Sequence, residues 1–173
     1  TTVNSVYDYL VGSLELPFKY ILLDSWWYWR ANSTDSTGNN AGSGVLNWTA
    51  REDVFPNGIE AVYQYTGWVV QAHNRYWSDE NVYAQQNGGA YEFGLDHEHL
   101  GGVPLEESFW VDLFAAPVRD WGLRVYEQDW MNRQIDTYYP ALMSDVYLAQ
   151  QWLFQMAAGA KMHNLTVQYC MPN

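Results

Sequence analysis

The run Trp121-Gly122-Leu123-Arg124-Val125-Tyr126-Glu127-Gln128-Asp129-Trp130 holds the residues best spaced for chemistry. A short β-rich segment ends in two carboxylates. Side chains alternate along a strand, so Val125, Glu127 and Asp129 share one face, with Arg124, Tyr126 and Gln128 on the other. At about 3.3 Å per residue, Glu127 and Asp129 stand about 6.6 Å apart along the strand. Acids delivered at the carboxyl end of an aliphatic strand are how an α/β barrel presents catalytic groups to its upper face. An edge strand carrying two solvated acids has the same pattern.

The elements that would position these acids alternate along the chain. Val3, Val6, Tyr7, Leu10, Val11 and Leu14 have helical spacing, and Pro17 stops that helix. Residues 20–28 predict a strand buried on both faces, with Asp24, Trp26, Trp27 and Tyr28 at its exit. Residues 31–44 are a polar, glycine-rich loop. A short helix over 59–65 precedes a strand over 68–72, whose exit is His73-Asn74-Arg75-Tyr76-Trp77. Residues 78–108 form an insertion too long for an ordinary connector. Phe109 to Asp120 is helical in pattern despite Pro117. After Pro140, Ser144 is the expected N-cap of a helix that places Val146, Ala149, Leu153, Met156 and Ala160 on one face. Residues 165–170 predict a last strand.

This alternation is the pattern of a parallel sheet built from βαβ crossovers. The expected class is α/β: a partial (β/α)8 barrel of about four strand–helix units, with residues 1–173 part of one barrel domain and 78–108 a strand-exit insertion. A complete barrel takes eight units and typically about 250 residues, and half of one leaves two bare sheet edges. The expectation is a segment of a longer chain, or one completed by another chain. No glycine-rich phosphate fingerprint follows a strand, which disfavours nucleotide binding.

Eight basic against twenty acidic residues give a net charge of -12, which excludes extended phosphate neutralisation and so argues against nucleic acid or an anionic membrane as partner. No apolar run approaches the length of a membrane span. Ten Trp and fourteen Tyr are abundant enough to supply both a core and faces on which sugar rings stack. Sequons at Asn32, Asn47 and Asn164 point to a secreted, glycosylated protein. Cys170 is the single cysteine, so no internal disulfide forms. His97-Glu98-His99 has two imidazoles but no matching downstream ligand, so neither a metal nor another cofactor is expected.

At Asp24 and Asp129 the sequence resembles the catalytic barrel of the retaining α-galactosidase and raffinose-synthase clan of glycoside hydrolases. Tyr20-Ile21-Leu22-Leu23-Asp24-Ser25-Trp26-Trp27 is similar to the clan's Tyr-x-x-x-Asp-Asp-x-Trp segment, with Ser25 in place of the second acid. Trp121-Gly122 through Glu127 and Asp129 is similar to its Trp-Gly-x-x-x-x-Lys-x-Asp segment, with Glu127 in place of the lysine. Cys170 closes a later strand, where the clan often has a cysteine near the sugar. The resemblance implies that Asp129 is the nucleophile, that Asp24 accepts hydrogen bonds from sugar hydroxyls, and that the acid/base lies on a further strand outside these residues. Charge reversal at Glu127 means that galactose specificity does not carry over.

The expected function is therefore glycosidic bond chemistry by a retaining mechanism on Asp129. Asp24, Trp26, Trp27, His73, Asn74, Arg75, Trp77, Glu127, Trp130 and Cys170 are the candidates to line the carbohydrate site, with Tyr28 a further stacking surface. Glu127 is expected to orient a hydroxyl or to pair with Arg75. The alternative is a barrel that has lost its catalytic set and serves as a carbohydrate-binding or structural module in an extracellular assembly.

Overall fold

The structure is a computed structural model that describes residues 2–31 and 43–172. In chain order it runs α1 (Thr2–Tyr7), a π-helical continuation over Asp8–Ser13, β1 (Tyr20–Leu23), β2 (Tyr28–Arg30), β3 (Val45–Ala50), α2 (Gly58–Thr66), β4 (Val69–Asn74) and β5 (Trp77–Ser78). There follow β6 (Phe93–Asp96), β7 (Gly101–Pro104), α3 (Glu107–Asp120), β8 (Leu123–Gln128), α4 (Met131–Arg133), a π-helical turn over Gln134–Tyr138, α5 (Ala141–Ser144), α6 (Val146–Met162) and β9 (Thr166–Tyr169).

The expected parallel sheet is present, in the order β1-β4-β8-β9. Its strands are joined through α2, α3 and α6, the arrangement that parallel pairing demands because a tight hairpin cannot reverse the chain twice. The helices bury Ile59 and Val62 from α2, Phe109, Trp110 and Phe114 from α3, and Trp152 and Met156 from α6. Gly159 lets α6 approach α3 closely: a Cβ there would stand 2.6 Å from the Cβ of Trp110. Pro117 is accommodated within α3, as its pattern predicts. β1 and β9 are the edges of this sheet, and among the described residues they do not meet.

The sheet face opposite the helices is open. Tyr20 is 66% and Leu22 43% exposed, so β1 is not buried on both faces as its composition predicts. The strand is also shorter than the predicted 20–28. Pairing stops at Leu23 with Ala72, and Tyr28–Arg30 joins a second sheet instead.

That second sheet has the order β2-β3-β5-β7-β6. Residues 78–108, which follow the exit of β4, contribute β6 and β7 to this sheet, and with β3 and β5 they pack around Trp77, Phe93, Val103 and Phe109, all buried. The two-residue β5 and the short, glycine-containing β6 and β7 carry too little alternation to be read locally. The sheet braces the segment after β8, where Tyr138 stacks on Tyr76 at 3.6 Å and Gln134 donates to the carbonyl of Gly102.

Asp145, not Ser144, caps α6, accepting from the backbone N–H groups of Tyr147 and Leu148; the Ser144 hydroxyl turns back to the carbonyl of Ala141. Most of the predicted loop over 31–44, with the Asn32 sequon, lies outside the described residues. No helix among the described residues is long and apolar enough to cross a membrane.

Gly122 carries the chain from α3 into β8 at φ +68°, and a Cβ there would meet the ring of Tyr63. Gly122→Ala combines a disfavoured backbone angle with a clash and is expected to cost about 1–3 kcal/mol. The readout is a lower urea midpoint at unchanged slope.

Candidate active site at the strand exits

Parallel register brings the polar ends of the four strands together. His73 pairs with Glu127 and Glu127 with Gln168; Asp24, Asp129 and Cys170 follow at the exits of β1, β8 and β9. The backbone N–H of Asp129 donates to the carbonyl of Asn74 at 2.7 Å, which extends the ladder by one rung and holds the aspartate against β4.

His73 is the hub. The carbonyl of His73 accepts from the indoles of Trp27 at 3.2 Å and Trp48 at 3.0 Å, beyond the last β1–β4 pair. Its ring lies parallel to that of Tyr28, with the phenol oxygen 2.9 Å from Nδ1, and its Nε2 is 3.2 Å from Asp129 and 4.0 Å from Asp24. Burial lowers the imidazole's pKa despite the neighbouring Asp129 and Asp24, so the ring is neutral at neutral pH. Burial also pushes the Tyr28 phenol far above its ordinary range, against the opposing effect of Arg75, and keeps it protonated. A carboxylate only accepts, so the single imidazole proton sits on Nε2 and donates to Asp129, while Nδ1 accepts from Tyr28.

Two donors orient Asp129, His73 Nε2–H at 3.2 Å and the backbone N–H of Trp130 at 2.7 Å, and the sulfur of Cys170 stands within 4.8 Å of its carboxylate. Asp129 beside it, with burial and the charge of Glu127, pushes that thiol up to about 11 and keeps it protonated, so Cys170 is not a thiolate nucleophile. Trp130 itself takes a left-handed conformation at φ 58°, unusual for a bulky side chain, which turns the chain sharply after Asp129. The side chain of Asp129 remains 14% exposed and that of Asp24 61%, so both reach solvent.

Glu127 is 7% exposed and held by amides. Gln71 donates to it at 2.9 Å and Gln168 at 3.4 Å, and Gln71 also donates to Gln168 at 3.0 Å. These two glutamines are site residues that sequence reasoning did not single out. The signal was present: each is a polar residue at a position of its strand that faces away from the helices. Oxygens of Glu127 and Asp129 and the sulfur of Cys170 all lie within 4.8 Å of one another, closer than the strand spacing of the two acids.

Several candidates sit elsewhere. Trp27 and Trp77 are fully buried, so neither offers a face to a ligand: Trp27 packs on Trp48 and Trp121, and Trp77 on Phe109 and Trp110. Tyr28 is likewise buried and acts through its hydroxyl. Asn74 is fully buried on the helix side, donating to the carbonyl of Arg75 and to Gln128, which removes it from substrate contact. Arg75 is 3% exposed, with its guanidinium 4.3 Å over the ring of Trp130 and donating to the carbonyl of Ser43. It is a support for Trp130, not a surface for hydroxyls, and the carboxylate of Glu127 is held by Gln71 and Gln168 instead. Trp26 stacks on Phe55 and lines an apolar cavity of about 680 Å³ with Val3, Val6 and Trp68, away from Asp129.

Of the sequons, Asn164 is exposed in the turn before β9, and Asn47 lies on β3 with its amide oxygen accepting from Tyr83. His97 and His99 pair separately with Asp79 and Asp96. Compared with known proteins, the chain matches no family model, and no curated protein matches it significantly.

Because the folded state disfavours protonated His73, unfolding is promoted once the unfolded histidine takes up its proton. That contribution to stability is complete above the ordinary histidine value of 6.5 and is lost as pH falls towards the lower folded value. His73→Gln is expected to flatten the decline in urea midpoint below pH 6.5 relative to the parent protein, measured in parallel titrations.

Proposed function

We propose that the strand-exit cluster is the sugar-binding end of a glycoside hydrolase-like (β/α) barrel acting by a retaining mechanism, with Asp129 as nucleophile. The observation that carries this reading is the setting of Asp129. It is a solvent-reaching carboxylate at the carboxyl edge of a parallel sheet, oriented by two separate donors with the Cys170 thiol beside it. A nucleophile must be held in one attack geometry, and fixed donors accomplish this without reorganisation during the reaction.

Asp129 attacks the anomeric carbon and forms a glycosyl ester, which water then hydrolyses. His73 and the backbone N–H of Trp130 share out the negative charge of the carboxylate while it is free. Asp24, largely exposed beside it, accepts hydrogen bonds from ring hydroxyls, and the partly exposed Trp130, backed by Arg75, is the stacking surface that remains once Trp27 and Trp77 are assigned to the core. Glu127 lies on the same strand and face as Asp129, beside it rather than across a glycosidic bond. The acid that protonates the leaving oxygen is accordingly assigned to a further strand of a completed barrel. The open sheet face and bare edges fit such completion, and the exposed Asn164 sequon fits a secreted glycoprotein.

One observation favours the competing reading of a barrel that binds carbohydrate without cleaving it: Glu127, within 4.8 Å of Asp129, stands on the same side of the cleft and is misplaced for acid/base work. The two readings part on covalent chemistry. An activated fluoro-glycoside is expected to label Asp129 in the full-length protein, detected by peptide mass spectrometry. Asp129→Asn is expected to abolish labelling and to lower turnover of aryl glycosides at least ~10³-fold. Binding without labelling of the parent protein would leave the binding-module reading.

A further inference from the structure

Glu127 raises a question that the retaining mechanism does not answer. It is a carboxylate 93% removed from solvent, within 4.8 Å of a second carboxylate, and its hydrogen bonds come from two neutral amides. Among the described residues no Lys, Arg or His forms an ion pair with it. Buried charges are ordinarily paired, because neutral donors recover only part of the lost hydration. The nearest imidazole, His73, is neutral and gives its proton to Asp129. Asp24 adds a third carboxylate at the same mouth. Among the described residues, no side chain supplies the positive charge that this arrangement calls for.

Two kinds of ligand supply positive charge, and the donor set separates them. Calcium or magnesium takes at least six oxygens, whereas the convergent group here is two carboxylates and one sulfur. Zinc centres with three protein ligands include at least one imidazole, and the convergent group has none. An ammonium group fits better: it brings three N–H donors and no acceptor to a site whose free valences are all carboxylate lone pairs. The chain as a whole, at net charge -12, also draws cations towards such a cleft.

We propose that the site selects sugars bearing a free, protonated amine, with Glu127 as the residue that recognises the ammonium and Asp129 and Asp24 beside it. This rests on the strand-exit cluster being a sugar site and names its substrate class: aminodeoxyhexosides with an unacylated nitrogen. Acylation removes both the charge and two of the donors, so N-acetyl sugars are excluded along with neutral ones.

The test is a calorimetric titration of the full-length protein, in the presence of EDTA, with aminodeoxyhexoses aminated at successive carbons. Glucosamine and galactosamine are among them, beside their N-acetyl derivatives and neutral parents. At least one amine is expected to bind tenfold or more tighter than its parent, roughly the factor that one charge-assisted hydrogen bond contributes. The preference should vanish as pH is raised through the amine's own titration, an arm that needs no variant. Glu127→Gln, which keeps shape and removes charge, should also abolish it. Equal binding of amines and parents, a preference that survives Glu127→Gln, or binding that appears only with added calcium or zinc would each overturn the proposal. An amine preference without any glycoside turnover sinks the hydrolase reading and leaves this one; turnover of neutral glycosides without the preference does the reverse.

Discussion

The carbonyl of His73 is the point on which the two sheets and the candidate site depend together. β4 runs two residues beyond its last pair with β1, and the carbonyl of the first of them, His73, is taken by the indoles of Trp27 and Trp48. An unpaired buried carbonyl costs free energy comparable to a lost hydrogen bond, so these two donors are needed once β1 turns away. Trp27 belongs to the turn after β1, and Trp48 to β3 of the second sheet. One acceptor thus locks the exit of the parallel sheet to its neighbour and fixes the backbone from which the imidazole reaches Asp129.

Polarity at the strand exits is arranged so that each charged group meets a donor whose own proton is secured. Tyr28 donates to His73 and His73 to Asp129, with the Cys170 thiol beside the same carboxylate. Burial holds the phenol neutral and also the imidazole, the latter against the pull of Asp129 and Asp24, while Asp129 and burial keep the thiol protonated. Glu127 departs from this scheme: its glutamine partners satisfy geometry but not charge. That contrast separates a carboxylate built to attack from one suited to receive a cation.

The open face of the parallel sheet and the second sheet are two consequences of the same topology. Parallel strands need long connections, and here the connection after β1 supplies β2 and β3, while the one after β4 supplies β5, β6 and β7. Those insertions pack beside the exits, where Tyr76 and Tyr138 stack and Arg75 supports Trp130. They do not reach the face carrying Tyr20 and Leu22, which stays exposed among the described residues.

Much of this was legible in order along the chain. Apolar runs separated by helical spacing mark four parallel strands, and the change to polar residues at Asp24, His73 and Asp129 marks their exits, because both are local properties of period and composition. The second sheet was not legible: β5 is only two residues long, and β3 and β7 acquire meaning only when paired with it. Trp27 and Trp77 read equally well as sugar platforms or as core, since an aromatic ring suits both; burial at 0% decides for the core. The sequence by itself determined the alternation of elements and which side chains stand at the strand ends. Only the tertiary structure decided that Trp27 donates to a carbonyl 46 positions away, that Gln71 and Gln168 grip Glu127, and that among the described residues no cationic side chain pairs with it. Pairing and burial are relations between segments distant in the chain, and no local pattern carries them.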